Sequence, residues 1–232
     1  MIKVVKNWQE IGEANKFFNN KELPKYHYPE KNWDMYLLYY LVESMPLDGK
    51  IIDLGCGELY ALKLLYAMGF KNLYGIDLAI PLKNRLSQVY RMWKKHSFKA
   101  SFHLYKGDLT KSSFSDQMFN LAICISVIEH GVNIEEFFLE SSRLLKPGGI
   151  LFITTDYWEE EIKISRYNKF FRLPWKIFSR IDIEGIIRIA GKYNLSLYKN
   201  SPIPDCSDKC IVWNKQEYTV LALIFKKSKS SK

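Results

Sequence analysis

The residues best placed to do chemistry form one short run, Asp53-Leu54-Gly55-Cys56-Gly57, directly behind the apolar pair Ile51-Ile52. A buried strand that ends in a glycine turn lets backbone N–H groups approach whatever lies beyond its carboxyl end, because glycine has no Cβ to hold a ligand away. Asp77 closes the next apolar run, Leu73 to Asp77. A carboxylate at that distance along the chain can accept hydrogen bonds from both hydroxyls of a ribose, so turn and carboxylate together suggest an adenosine site. A dinucleotide fingerprint would place a third glycine three residues after Gly57, where Tyr60 stands, and no G-x4-G-K-[ST] string occurs. Glu58 would also repel a pyrophosphate in that turn, so the expected ligand is not a phosphate ester.

These residues need a scaffold that delivers them to one rim. Between residues 50 and 155 short β-rich runs alternate with stretches of helical apolar spacing, the pattern of parallel βαβ units. Strands are predicted at Ile51 to Leu54, Leu73 to Asp77, Phe102 to Tyr105, Phe119 to Ile125 and Ile150 to Thr154, and helices at Tyr60 to Met68, Pro81 to Lys95 and Ile134 to Leu145. Lys146-Pro147-Gly148-Gly149 should stop the last helix, since proline cannot continue it and glycine accepts a left-handed turn. Outside this block, Trp33 to Met45 reads as a helix, as does Asp182 to Tyr193 with Ser179 as its cap. Tyr218 to Phe225 is β-like, in a direction no sequence rule fixes.

The chain has 232 residues, 47% hydrophobic and 25% charged, enough for one large core and too apolar for disorder. Its net charge is +9, with four of the lysines in the tail from Lys226 to Lys232, so the charge argument for a polyanion partner is modest. That tail is expected to be frayed. The longest apolar run, Val220 to Phe225, is too short to span a membrane, and no export signal is visible. Four cysteines in a chain of this length suggest a reducing, cytoplasmic setting, and Cys206 and Cys210 read as ordinary loop thiols rather than half of a zinc site.

In order and spacing, Asp53-Leu54-Gly55-Cys56-Gly57, Gly75-Ile76-Asp77, Gly107-Asp108-Leu109, Phe119-Asn120-Leu121 through Ile128-Glu129-His130, and Leu144-Leu145-Lys146-Pro147-Gly148-Gly149 resemble the successive motifs of class I S-adenosylmethionine-dependent methyltransferases. The resemblance spans roughly residues 48 to 156. It implies a Rossmann-like, doubly wound α/β fold: a mostly parallel seven-stranded sheet with helices on both faces and an antiparallel C-terminal strand. It also implies S-adenosyl-L-methionine as cofactor. Asp53 would hold the turn or accept from the methionine amino group, while Gly55, Cys56 and Gly57 would meet the methionine part. Asp77, with Leu78 beside it, would grip the ribose. Asp108 and Leu109 would flank the adenine, and Ile125 and Ser126 would line the reaction chamber. Family members often carry a third glycine two residues after Gly57, where this chain has Leu59. Small-RNA 3′-end methyltransferases carry a Glu-x-x-Glu-His metal cluster here, but Ser126 replaces its first glutamate, so no metal is expected.

Methyl transfer needs alignment and exclusion of water more than side-chain chemistry, although a hydroxyl acceptor gains from a nearby base. His130 and Asp156 are the candidates. Acceptor contacts are expected from the aromatic flanks, with Tyr28, Trp33, Tyr157 and Trp158 foremost among residues that include Tyr26, His27, Tyr36, Arg166, Tyr167 and Trp175. A domain plan follows: a cap over 1–47, the catalytic domain over 48–226 with a substrate-side insertion at 157–180, and a basic tail over 227–232. The stretch from Thr154 through Trp213 to Thr219 also resembles bacterial methyltransferases of surface-polysaccharide type. The favoured function is methylation of a small-molecule or glycosyl hydroxyl. Methylation of RNA is the rival, motivated by Lys83, Arg85, Arg91, Lys94, Lys95 and Lys99, and a cofactor-binding module without turnover is the third reading.

Overall fold

Five parallel strands form the centre of the computed structural model, which describes residues 1–79, 101–164, 169–170 and 173–229. They are β2 (Lys50–Leu54), β3 (Asn72–Asp77), β4 (Ser101–Lys106), β5 (Phe119–Ile125) and β6 (Leu145–Tyr157), arranged β4-β3-β2-β5-β6. Leu121, Ala122, Ile123 and Cys124 of β5 are all fully buried, because helices cover both faces and leave no solvated side. From β2 the sheet grows first toward β3 and β4, then on the other side through β5 and β6. That reversal opens a crevice at the carboxyl ends of β2 and β5.

The C-terminal strand β11 (Gln216–Lys227) runs antiparallel to β6, with Thr219 opposite Tyr157 and Lys226 opposite Ile150. Its outer edge is shared between β1 (Ile2–Val4) and β9 (Leu195–Leu197), while β10 (Ile211–Trp213) folds back on it as a hairpin. Seven strands therefore form the path β1-β11-β6-β5-β2-β3-β4, with β9 and β10 attached to β11. Two-residue strands β7 (Lys169–Phe170) and β8 (Leu173–Pro174) make a separate ribbon. Lys226 and Lys227, expected in a frayed tail, instead continue β11. The Lys227 ammonium donates to the carbonyls of Ser142 and Leu145 at 2.6 and 2.9 Å, at the C-terminal end of the helix Ile134–Leu144.

One face of the sheet is covered by α1 (Trp8–Asn20), α2 (Asn32–Val42) and α3 (Tyr60–Ala67), whose Phe18, Leu38 and Leu64 pack with Ile51, Ile123 and Phe152. The other carries α4 (Ile134–Leu144) and α5 (Arg180–Lys192), whose Phe137, Phe138 and Ile183 pack with Ile52, Ala122 and Ile153. Ser179 caps α5 as its sequence predicts: its hydroxyl accepts from the Asp182 N–H at 3.3 Å, and the Asp182 carboxylate accepts from the Ser179 N–H at 2.9 Å. Helix α4 stops at Leu144 and strand β6 begins at once; Gly148 takes a left-handed backbone, φ +79°, and the pairing with β5 is irregular between Phe119 and Leu121. The predicted helix at 81–95, the basic cluster from Lys83 to Lys99, and Arg166 and Tyr167 fall outside the described residues. Among those described, no helix is long and apolar enough to cross a membrane.

Leu59 precedes α3 with a left-handed backbone, φ +62°, and is fully buried. The position thus adopts the conformation a glycine would take, and the leucine side chain is retained for packing. Leu59→Gly should relieve about 1 kcal/mol of backbone strain but lose about 2–3 kcal/mol of apolar burial. Urea denaturation should show a net loss of about 1–2 kcal/mol. A more stable variant would mean that the strain outweighs the packing.

Candidate functional site

The glycine turn after β2 is tied to the end of β3. Gly55 and Cys56 donate their N–H groups to the Ile76 carbonyl at 2.8 and 3.2 Å, and Gly57 donates to the Asp77 carboxylate at 2.9 Å. The other Asp77 oxygen accepts from the Ala79 N–H at 2.9 Å. Asp77 therefore holds the turn in shape, and each of its oxygens keeps a second lone pair for a ligand. Gly55 has φ +86°, and a Cβ there would lie 2.5 Å from a Val127 methyl, so the loop after β5 packs directly against the turn. Gly75 has a related function: a Cβ there would lie 2.9 Å from the Cys56 sulfur, and its absence lets Cys56 seat against the sheet.

Asp53 is 4% exposed. Burial, reinforced by the charge of Asp77, pushes its pKa up to about 8. Such a group favours a cation beside it. At the end of β4 the Gly107 N–H donates to the Asp77 carbonyl at 3.0 Å, which brings Asp108 and Leu109 to the same rim. One Asp108 oxygen accepts from the Thr110 N–H and hydroxyl, both at 2.8 Å; Leu109 is buried and Leu78 is exposed. The predicted cofactor residues of β2, β3 and β4 thus converge.

Across the crevice, Ile125 is buried at the end of β5, and Ser126 takes φ +52° with its N–H donating to the Thr154 carbonyl at 3.0 Å. The Lys31 ammonium, from the 3-10 turn Pro29–Lys31, donates to the Ser126 hydroxyl at 2.8 Å. It also lies 3.6 Å from Asp156 Oδ1. Asp156 is 3% exposed, and its Oδ2 accepts from the indole N–H of Trp175 at 2.8 Å. Glu129 and Asp34 are buried nearby. The Thr155 hydroxyl donates to Glu129 at 3.1 Å. Burial and the neighbouring Asp156 hold the Glu129 carboxyl well above the usual range, and burial pushes Asp34 up to about 7. Burial lowers the His130 pKa to about 4, so its imidazole is neutral around pH 7.

The two base candidates therefore lie in one buried polar cluster with Lys31. The aromatic candidates divide. Trp33, at 4% exposed, and the fully buried Tyr157 have their rings committed to packing, and burial pushes the Tyr157 phenol up to about 12. Tyr28 is 68% exposed, and Trp158 is half-buried with the Lys209 ammonium 4.7 Å from its ring centre. Sequence reasoning missed Lys31 and Asp34. Asp34 left a signal, a carboxylate on an apolar helix between Trp33 and Met35; Lys31, in the polar run Glu30-Lys31-Asn32, left none.

Residues 52–153, which hold most of the glycine turn, the rim carboxylates and the central parallel strands, match the family model described as a methyltransferase domain. Among curated relatives, the ubiquinone biosynthesis O-methyltransferase of Rickettsia typhi is 28% identical over 156 residues, covering 59% of this chain and 61% of that protein. The chain thus spans less than two thirds of that relative's length. Among solved structures, geranyl diphosphate C-methyltransferase from Streptomyces coelicolor, in complex with Mg2+, geranyl diphosphate and S-adenosyl-L-homocysteine, superposes with TM-score 0.63 at 15% identity, covering 88% of this chain and 84% of that one. The [4+2]-cyclase SpnF superposes with TM-score 0.60 at 14% identity, covering 86% and 83%. The same fold therefore also carries a protein named for a different reaction.

Proposed function

We propose that this protein is an S-adenosylmethionine-dependent methyltransferase acting on the hydroxyl of a small molecule or glycan by in-line transfer, in the cytoplasm. The observation that carries the reading is Asp53, a buried carboxyl with a raised pKa beside a glycine turn that a Cβ would block. S-adenosylmethionine carries two cationic centres, a sulfonium and an ammonium, and fits that need. Bound there, it would supply a methyl group whose departure leaves a neutral thioether. Asp53 would face the ammonium, the backbone at Gly55, Cys56 and Gly57 would meet the methionine part, and Asp77 would accept from the ribose. Asp108 and Leu109 would flank the adenine, with Leu78 at the rim. Ile125 and Ser126 would separate this half of the crevice from the acceptor.

On the acceptor side Asp156 is the better positioned base. Its Oδ2 accepts from the Trp175 indole N–H at 2.8 Å and its Oδ1 lies 3.6 Å from the Lys31 ammonium, so the carboxylate is held in place at the end of β6, with His130 in the same cluster. Exposed Tyr28 and half-buried Trp158 are the aromatic surfaces left for the acceptor; buried Trp33 and Tyr157 would act by shaping the walls. The relatives named as O-methyltransferases support a hydroxyl as the methylated group.

The reading is tested by calorimetry with S-adenosylmethionine and an acceptor screen for S-adenosylhomocysteine release. The pH dependence of binding has a fixed sign. Asp53 has a folded pKa of about 8 against an ordinary 3.8, so across that interval the free folded protein holds a proton that the unfolded chain has released. Rising pH through this window therefore costs stability, and a bound cation reverses the cost by favouring the ionised carboxylate. Affinity should rise toward pH 8 with release of up to about one proton, seen as heats that vary with buffer ionisation enthalpy. Asp53→Asn should abolish that share of the proton release. No measurable binding by the wild-type protein would defeat the proposal.

A further inference from the structure

The Lys31–Asp156 pair has a gap in it. The ammonium and Oδ1 are 3.6 Å apart, too far for a hydrogen bond, and Oδ1 is buried with no partner within 3.5 Å, although Oδ2 of the same carboxylate is held at 2.8 Å by Trp175 and the Tyr218 phenol faces the same carboxylate. A buried carboxylate oxygen left in that state is costly unless something fills the position. Ser126 fixes the ammonium from the other side at 2.8 Å, so Lys31 is anchored. The elements around it are all acidic or neutral: Asp34 from α2, Glu129 and His130 from the loop after β5, Asp156 from β6 and Tyr218 from β11, with Lys31 as the one cation recorded among these contacts.

We infer that Lys31 and Asp156 form a two-point clamp for a neutral hydroxyl, with the hydroxyl oxygen accepting from the Lys31 ammonium and its proton directed at Asp156 Oδ1. This deepens the methyltransferase reading and rests on it. The clamp selects by charge. A hydroxyl is both donor and acceptor and satisfies both groups, whereas a carboxylate offers no proton to Oδ1 and would set two carboxyl oxygens against each other. A protonated amine faces the Lys31 ammonium and has no lone pair to give it. The position also neighbours the cofactor half of the crevice, because Ser126, which anchors Lys31, precedes the Val127 that packs on Gly55.

The test has two parts, both on the full chain with S-adenosylhomocysteine. A crystal structure that resolves waters should show one ordered oxygen within about 3.2 Å of both the ammonium and Oδ1. Direct contact between the two groups, or an ammonium turned away, overturns the clamp. Calorimetry then compares benzyl alcohol, benzoate and benzylamine, three charge states on one ring, as probes of the wild-type complex. The alcohol should bind best, and Lys31→Met should weaken it about tenfold while leaving S-adenosylhomocysteine affinity within about twofold. No preference among the probes, a preference for either ion, or a Lys31→Met variant that binds the alcohol unchanged overturns the inference. Failure of S-adenosylhomocysteine itself to bind the wild type would instead overturn the methyltransferase reading beneath it.

Discussion

Replacing Asp77 with alanine is expected to weaken S-adenosylhomocysteine binding about 10- to 150-fold, equivalent to about 1.5–3 kcal/mol for charge-assisted hydrogen bonds to a ribose. The structure adds a reason to expect the upper part of that range. Both carboxylate oxygens already accept backbone N–H groups, from Gly57 and Ala79, so the variant loses the ribose contact and the support of the glycine turn together. Asp77→Asn separates the two effects. Its amide oxygen can keep one backbone bond and much of the turn, while the charge on the ribose bonds is lost, so its affinity should fall between those of wild type and Asp77→Ala. Calorimetry on both variants, with thermal unfolding to confirm that they fold, decides the matter. If Asp77→Ala binds like the wild type, the ribose lies elsewhere.

The division between what could be read from the sequence and what could not follows the reach of each interaction. Strands β2, β3, β5 and β6 are visible because each is buried along most of its length and therefore largely apolar, a property the segment carries by itself, whereas the edge strand β4 is visible only through the alternation of Phe102 and Leu104 with polar residues. Ser179 is visible as a cap because its partner, Asp182, is three residues away. Helix α1 was not anticipated. Its buried stripe is only Ile11, Ala14 and Phe18, and its N-cap, Asn7 accepting from the Glu10 N–H at 3.2 Å, begins a segment that otherwise reads as polar. Strands β1, β9 and β10 are three residues each and owe their conformation to β11, which supplies the hydrogen bonds. Nothing local announces such an edge strand.

The site divides in the same way. The cofactor half follows a motif because a tight turn dictates residue type: Gly55 must have no side chain, and Asp77 must reach a turn twenty residues before it. The acceptor half has no such signature. Lys31 lies 95 residues before Ser126 and meets it only because the fold lays the Pro29–Lys31 turn across the ends of β5 and β6. A lysine has enough freely rotating carbons to reach many places, so its type and position in sequence say little about where its charge goes. The same holds for Trp33 and Tyr157, whose aromatic character suits a binding wall as well as a packed core; only burial tells these apart.

The largest effect on folding is expected at Gly55. Its φ of +86° is disfavoured for an alanine, and the added Cβ would meet Val127 at 2.5 and 2.9 Å, well inside contact distance. Together these should cost about 2–4 kcal/mol and disorder the turn on which Cys56 and Gly57 depend. The two causes can be pulled apart because one has a partner and the other does not. Trimming Val127 to alanine removes the methyl groups in the way but leaves the backbone strain untouched. Gly55→Ala with Val127→Ala should therefore be more stable than the sum of the single variants by about 1–2 kcal/mol, while remaining below Val127→Ala alone. Denaturant unfolding of all four proteins measures that coupling. Its absence would show that the loop after β5 can shift away from the turn at no cost, and Val127 would then no longer link the cofactor half of the crevice to the acceptor half.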